Sequence, residues 1–356
     1  MLCSAILLSA RATLLSGEEE RKLLSRVSDK LVMPSPAKDF IHGQTYFITF
    51  RTEEGLPFVA IPLINEILWS CLAKSQRLYP QKIHGMCFQA NHQHLLLGCQ
   101  DPEQMPAFIG YIKQESAHAI NRLLGRRRKT VWAEGYDSPI ILDYQKFLFC
   151  LAYVKLNPLK DLIVPNMESF KGISTWDAFK KDRNSRKARV ISRDSITKLR
   201  NPHQPWIESD KVLKELFEKN KMSLELKFDF YSWKECFPET RVLSDLEVRR
   251  MMLESLGKYE ASLLDRPEMK KKYHDHSKQS MLKSYVPKKY GKKMICLSDF
   301  KELRIDYINY YKDKIAEAKH AYKQWKKGDF RIPYPLGLFA PPLPRTANLV
   351  PSFVPI

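Results

Sequence analysis

The stretch "KIHGMCFQANHQHLLLGCQ" (82–100) constrains the fold more than any other part of the chain. Two apolar runs meet at Ala90 and Asn91, with room between them for a turn only. "KIHGMCFQA" and "HQHLLLGCQ" therefore predict two strands of an antiparallel hairpin. Side chains alternate along a strand, so His92 and His94 share one face while Gln93 points to the other. Two imidazoles thus project together, just past the turn, beside a segment built for burial.

The elements around the hairpin follow from pattern. "QTYFITFR" (44–51) reads as an aromatic and β-branched strand, and "PLINEILWSCLAKSQRLY" (62–79) as a helix with Pro62 near its start. Asp101 and Pro102 cap a helix through "EQMPAFIGYIKQESAHAINRLLG", which Gly125 ends. A strand follows at "SPIIL" (138–142). Asp143 then caps "YQKFLFCLAYVKLN", which Pro158 is expected to stop. The order β-α-β-β-α-β-α predicts an α+β class. Its first six elements form a ferredoxin-like unit, an antiparallel sheet with helices on one face.

Composition divides the chain further. Residues 1–41 read as an N-terminal extension, with an apolar start that no basic residue precedes. The domain carrying the hairpin spans 42–180. Residues 181–297 are basic and mixed, with no fold assigned. A long helix is expected over 298–328, with Ser298 as N-cap and Gly328 past its end, making the C-terminal extension mainly helical. The tail 329–356 is proline-rich. The seven cysteines show no CxxC spacing, which argues against a zinc finger or a disulfide framework and fits a cytoplasmic protein. No apolar run is long enough to span a membrane. The formal net charge of +19 points to a polyanionic partner, foremost nucleic acid.

Two neutral imidazoles from one strand make half of a divalent metal site, and a third ligand is needed. The helix starting after Asp143 offers one. Tyr153 and Asn157 are spaced i, i+4 and share a face, while Phe147, Leu151 and Val154 form an apolar stripe that holds the helix on the sheet. Asn157 can give an amide oxygen, and Tyr153 sits one turn away as a potential nucleophile. A phenol with a pKa of about 10 attacks poorly unless a metal makes the phosphorus more electrophilic. Tyr111, Tyr136 and Tyr144 are the competing phenols, but only Tyr153 lies beside the third ligand. A second His-x-His, His274 and His276 in "KKKYHDHSKQ", sits in a charged stretch without a strand and reads as solvated.

"NHQHLLLG" together with "VWAEGYDSPIILDYQKFLFCLAYVKLNPLKDLIVPN" resembles the REP-associated tyrosine transposases, IS200-like members of the HUH endonuclease superfamily. The resemblance covers about residues 42–178, including "STWDAF", and the family's "Y-I-x-x-N-P" appears as "YVKLNP". It implies an HUH fold with His92, His94 and Asn157 as metal ligands and Tyr153 as nucleophile. Gln93 stands where the family usually has an apolar residue, and "QANHQH" replaces its usual residues before the pair.

The resemblance implies a single-stranded DNA transposase that cuts and rejoins DNA through a 5′-phosphotyrosine. It would act at hairpin-flanked sites with Mg²⁺ or Mn²⁺, as a monomer or homodimer. The alternatives are a domesticated, catalytically weak protein that binds hairpin DNA or RNA, and a metal-dependent hydrolase using water. Arg126, Arg127, Arg128 and Lys129 in "GRRRKT" read either as a solvated charge run or as a phosphate clamp. Trp132 and Tyr136 are candidate base-stacking groups. Lys155 and Lys160 are candidate contacts to the scissile backbone.

Overall fold

A computed structural model describes residues 37–55, 61–89, 91–127, 129–196, 209–267 and 293–343. The chain divides into two compact units, Phe40–Lys289 in one and Met1–Asp39 with Tyr290–Ile356 in the other.

The larger unit is built on an antiparallel sheet. Strand β1 (Thr45–Arg51) leads into helix α1 (Pro62–Leu78), then into the hairpin of β2 (Lys82–Phe88) and β3 (His92–Gly98). Helix α2 (Met105–Leu123), strand β4 (Ile140–Ile141), helix α3 (Tyr144–Lys160) and strand β5 (Ile173–Ser174) follow. Within this unit the strands lie in the order β5-β2-β3-β1-β4. Its central four, 2-3-1-4, have the expected ferredoxin-like arrangement.

Helices α1 and α2 pack together on one side, where Ser75 Oγ donates to the Phe108 carbonyl at 2.7 Å and Lys113 of α2 lies over the Phe50 ring. The two helices of the six-element unit thus share one face as expected, and the seventh element, α3, covers the opposite face. That face carries Thr49, His94, Leu96 and Gly98, because Thr49 pairs with His94 across β1 and β3. Two glycines let α3 and its neighbours come close. A Cβ on Gly85 would meet Leu151 of α3 at 3.2 Å, and one on Gly98 would meet His84 Nε2 at 2.6 Å. His84 sits at the bulge in β2 and cannot yield easily, since its Nδ1 is bonded to the Asp229 carbonyl at 2.6 Å.

Local signals mark most element ends. Asp143 caps α3 by accepting from the Lys146 amide at 2.6 Å, and Gly125 takes a left-handed φ of 64° after α2. Two boundaries differ from expectation. Asp101 Oδ1 accepts from the Glu103 amide in a turn, and α2 begins only at Met105. Pro158 does not stop α3, which continues to Lys160. A proline lacks the donor for one i→i−4 bond but leaves the next turn free, and the Asp161 amide still reaches the Asn157 carbonyl at 3.0 Å.

The larger unit continues past residue 180. Helix α4 (Trp176–Lys180) leads to a ribbon of β6 (Ser185–Arg189) and β7 (Ser223–Lys227), with α5 (Ser209–Lys219) between them. Helix α6 (Asp245–Leu264) carries a full capping box of Ser244 and Glu247 and packs along α3.

In the smaller unit, β8 (Cys296–Leu297) precedes α7 (Lys301–Trp325). The helix starts after Ser298, whose hydroxyl accepts from the Phe300 amide instead of capping the first turn. Asp39 is buried against α7, bonded to Lys314 at 2.5 Å and to the Tyr307 hydroxyl at 3.2 Å. Among the described residues every cysteine is a free thiol, and no helix is long and apolar enough to cross a membrane. His274, His276 and Arg128 lie outside the described residues, as do residues 1–36 and the last part of the proline-rich tail.

Candidate active site

β3 and α3 bring four of the sequence-selected side chains together. The His92 and His94 ring centroids are 4.9 Å apart, and the Tyr153 ring stands edge-on to His94 at 5.3 Å. Asn157 Nδ2 lies 3.5 Å from His92 Nε2, and the Asn157 side chain is fully buried. The helical spacing of Tyr153 and Asn157 produces this convergence directly, since both project from one face of α3 onto the start of β3.

Neighbours fix each ring. Phe47 on β1 stacks on His94 at 5.3 Å, and Thr49 Oγ1 is 3.0 Å from His94 Nδ1. His92 Nδ1 faces Asn91 Oδ1 at 2.8 Å. His94 Nε2 is buried and bonds to nothing, a deficit that costs about 1–3 kcal/mol unless some group takes it up. Burial lowers the pKa of both histidines, that of His94 well below its usual value, with the neighbouring His92 and Lys160 charges adding to the effect there. Both imidazoles are therefore neutral at neutral pH, the form that binds metals.

Lys160 and Asp161 complete the surroundings. Lys160 Nζ bonds Asp161 at 2.6 Å and Asn157 Oδ1 at 3.3 Å, and lies 5.0 Å from the centre of the Tyr153 ring. Burial disfavours its charge, yet the bond to Asp161, with help from the Tyr153 phenol, more than offsets this and raises its pKa. Asp161 Oδ2 is 3.8 Å from His92 Nε2. Among the described residues no three His, Cys, Asp or Glu side chains converge as a metal site. A cation here would draw on two imidazoles and an amide, and the partnerless His94 nitrogen fits such a donor set.

Residues 44–155 match the model of the IS200-like transposase family. The matched segment contains β1 to β4 and α3 as far as Lys155, so both histidines and Tyr153 lie in this transposase-like domain while Asn157 falls just beyond it. No curated protein matches the chain. A solved structure of a REP-associated tyrosine transposase bound to a REP hairpin aligns with a TM-score of 0.36 and 19% identity, covering 42% of this chain and 86% of that one.

The remaining candidates scatter. Lys155 is fully buried, donating to Thr175 Oγ1 at 2.8 Å and to the Thr175 carbonyl at 3.2 Å, between the rings of Phe179 and Phe230. It cannot reach a DNA backbone. Trp132 is 6% exposed and donates to Ser116 Oγ at 2.8 Å, with its ring edge-on to Phe50, so it packs in the core and offers no face to a base. Tyr136 is half-buried, and burial raises its pKa. Arg126 is tied to Asn121 Oδ1 at 3.2 Å, while Arg127 and Lys129 are exposed. This basic loop leads into residues 131–133, which run beside Arg51–Glu53 at the end of the sheet where His92 emerges. Of the competing phenols, Tyr111 pairs with Tyr79, and Tyr144 lies at the far end of α3.

Three supporting residues were not singled out in the sequence. Thr49 and Phe47 depend on the register of β1 against β3, which no local pattern encodes. Asp161 follows Asn157 by one helical turn, and the spacing that links Tyr153 to Asn157 would have found it.

Proposed function

We propose that the transposase-like domain cuts and rejoins single-stranded DNA beside hairpins through a covalent link to Tyr153. The observation that carries this reading is the gathering of Tyr153 against His94, Asn157 against His92, and the two adjacent imidazoles with a buried, partnerless His94 nitrogen.

In this reading His92, His94 and the Asn157 amide oxygen hold a divalent cation such as Mg²⁺ or Mn²⁺. When bound, it supplies electrophilic polarisation of the scissile phosphate. Tyr153 provides the attacking oxygen. Its phenolic proton leaves, a P–O bond forms to the tyrosine, and the P–O bond to the 3′-oxygen breaks. That oxygen takes up a proton and departs as a 3′-hydroxyl, leaving DNA joined to the protein as a 5′-phosphotyrosine. Attack by a 3′-hydroxyl reverses the step, with no change in oxidation state and no nucleotide consumed. Lys160 places a positive charge beside the phenol, which favours the oxygen as it loses its proton. Thr49, Phe47 and Asn91 hold the two imidazoles in place.

The test is a denaturing gel with a labelled oligonucleotide carrying a hairpin and a single-stranded flank. We expect a metal-dependent covalent adduct from the wild-type protein and none from Tyr153→Phe, with DNA affinity changed by no more than about twofold, since only one hydroxyl is lost. An adduct that survives Tyr153→Phe removes this tyrosine from the reaction. Turnover with no adduct at any time point assigns the attack to water.

A further inference from the structure

Next to Tyr153 the surface carries aromatic rings that the cutting chemistry does not use. Phe149 lies one helical turn before Tyr153 on the same side of α3 and is 45% exposed, unusual for a phenylalanine in a packed helix. Tyr259, on α6, meets it edge-on with ring centres 5.5 Å apart. Lys146 Nζ lies 5.0 Å from the Phe149 ring centre, and Lys160 lies as close to the Tyr153 ring. The result is a row of aromatic faces flanked by two cations, running from the candidate nucleophile onto the helix that follows the family-like segment.

We propose that Phe149 and Tyr259 form a stacking platform for an unpaired nucleobase adjoining the phosphate that Tyr153 attacks. The proposal rests on the cutting reading above only for which nucleotide occupies the platform. Its occupant is single-stranded nucleic acid, because each part of the row suits one part of that ligand. Base faces stack on aromatic rings whatever their sequence, and lysines alongside follow the phosphates. A contact serving only to hold α6 on α3 would bury both rings, whereas Phe149 stays 45% exposed. Burial raises the pKa of the Tyr259 phenol, on which Lys160, Tyr153 and Asp161 also act. Tyr153 stays the nucleophile, and Tyr259 is a positioning residue.

The experiment uses single-stranded oligonucleotides with 2-aminopurine placed at successive positions, whose fluorescence is quenched by stacking. With the wild-type full chain, quenching should peak at a nucleotide next to the cleaved bond. Phe149→Leu/Tyr259→Leu keeps apolar volume but removes both rings. It should abolish that quenching and weaken single-strand binding about tenfold, with the salt dependence unchanged because both lysines remain. Tyr259→Phe keeps the ring and should retain the quenching. Tyr153→Phe should bind and quench like the wild type. Unchanged affinity and quenching in a folded double variant overturns the platform, as does a wild-type protein that quenches at no position. If the wild type quenches as expected but never forms an adduct, the platform stands and the cutting reading fails.

Discussion

Two lysines on one helix show how differently the two flanks of α3 are used. Lys155 and Lys160 look alike in the sequence, one two residues before Asn157 and the other three residues after it. In the fold Lys155 faces the sheet, the aromatic rings of Phe179 and Phe230 and the Thr175 hydroxyl. Lys160 faces the site and is joined to Asp161. Their pKa values move in opposite directions. Burial drives Lys155 well below the usual lysine value, whereas Lys160 rises because its bond to Asp161 outweighs burial. One flank of α3 is thus packed into the core and the other faces the proposed site, and substitutions on the two should separate stability from adduct formation.

The largest separation is expected at His94. His94→Ala should remove Mn²⁺ binding, read by electron paramagnetic resonance on the metal alone, and lower adduct yield by at least about a hundredfold. Thermal stability should fall as well, since the substitution also removes the Thr49 bond and the Phe47 stacking, so both readouts are taken on protein shown to be folded. A variant that loses the adduct but keeps full Mn²⁺ affinity would detach the histidines from the metal.

Lys155→Met tests the other flank. The stem volume is kept while the two bonds to Thr175 are lost, so the unfolding free energy should fall by about 1–2 kcal/mol with adduct yield unchanged. The pH dependence has a definite sign. Because the folded-state pKa is depressed, the unfolded chain binds more protons at this position between the folded value and the ordinary value of about 10.4, and wild-type stability should rise with pH across that window. Lys155→Met should flatten that rise in urea titrations at several pH values. A slope identical to wild type would mean that Lys155 is charged in the fold.

Much of the site could be read from the chain because it depends on short periods. His92 and His94 are two apart on a strand, and Tyr153 and Asn157 are four apart on a helix; each spacing fixes a shared face without knowledge of the rest. The hairpin and the β-α-β-β-α-β order then fix which strands are neighbours. Burial was less legible. Trp132 and Lys155 have residue types that suit nucleic acid, and their local patterns do not say that Ser116 and Thr175 lie waiting across the fold. Gln93 shows the same limit. It occupies the far face of β3, fully buried, with its amide nitrogen donating to the Gln89 carbonyl at 3.4 Å and its amide oxygen left without a partner, and so stays away from the histidines.

The smallest expected effect sharpens the comparison on the site flank itself. Lys160→Ala leaves the Tyr153 hydroxyl, the imidazoles and the Asn157 amide in place, so adduct formation at neutral pH should slow by no more than about tenfold. The pH profile should change more characteristically. Lys160 holds the pKa of His92 down, while Asp161 pulls it up. Without the lysine the carboxylate is opposed by burial alone, His92 takes up a proton at higher pH, and the acid limb of the adduct-rate profile should move upward. Lys160→Arg keeps a cation at this position and should leave that limb near its wild-type place. An acid limb that does not move in Lys160→Ala would mean that the lysine serves only to grip DNA, in which case the loss should appear as weaker binding with a shallower salt dependence.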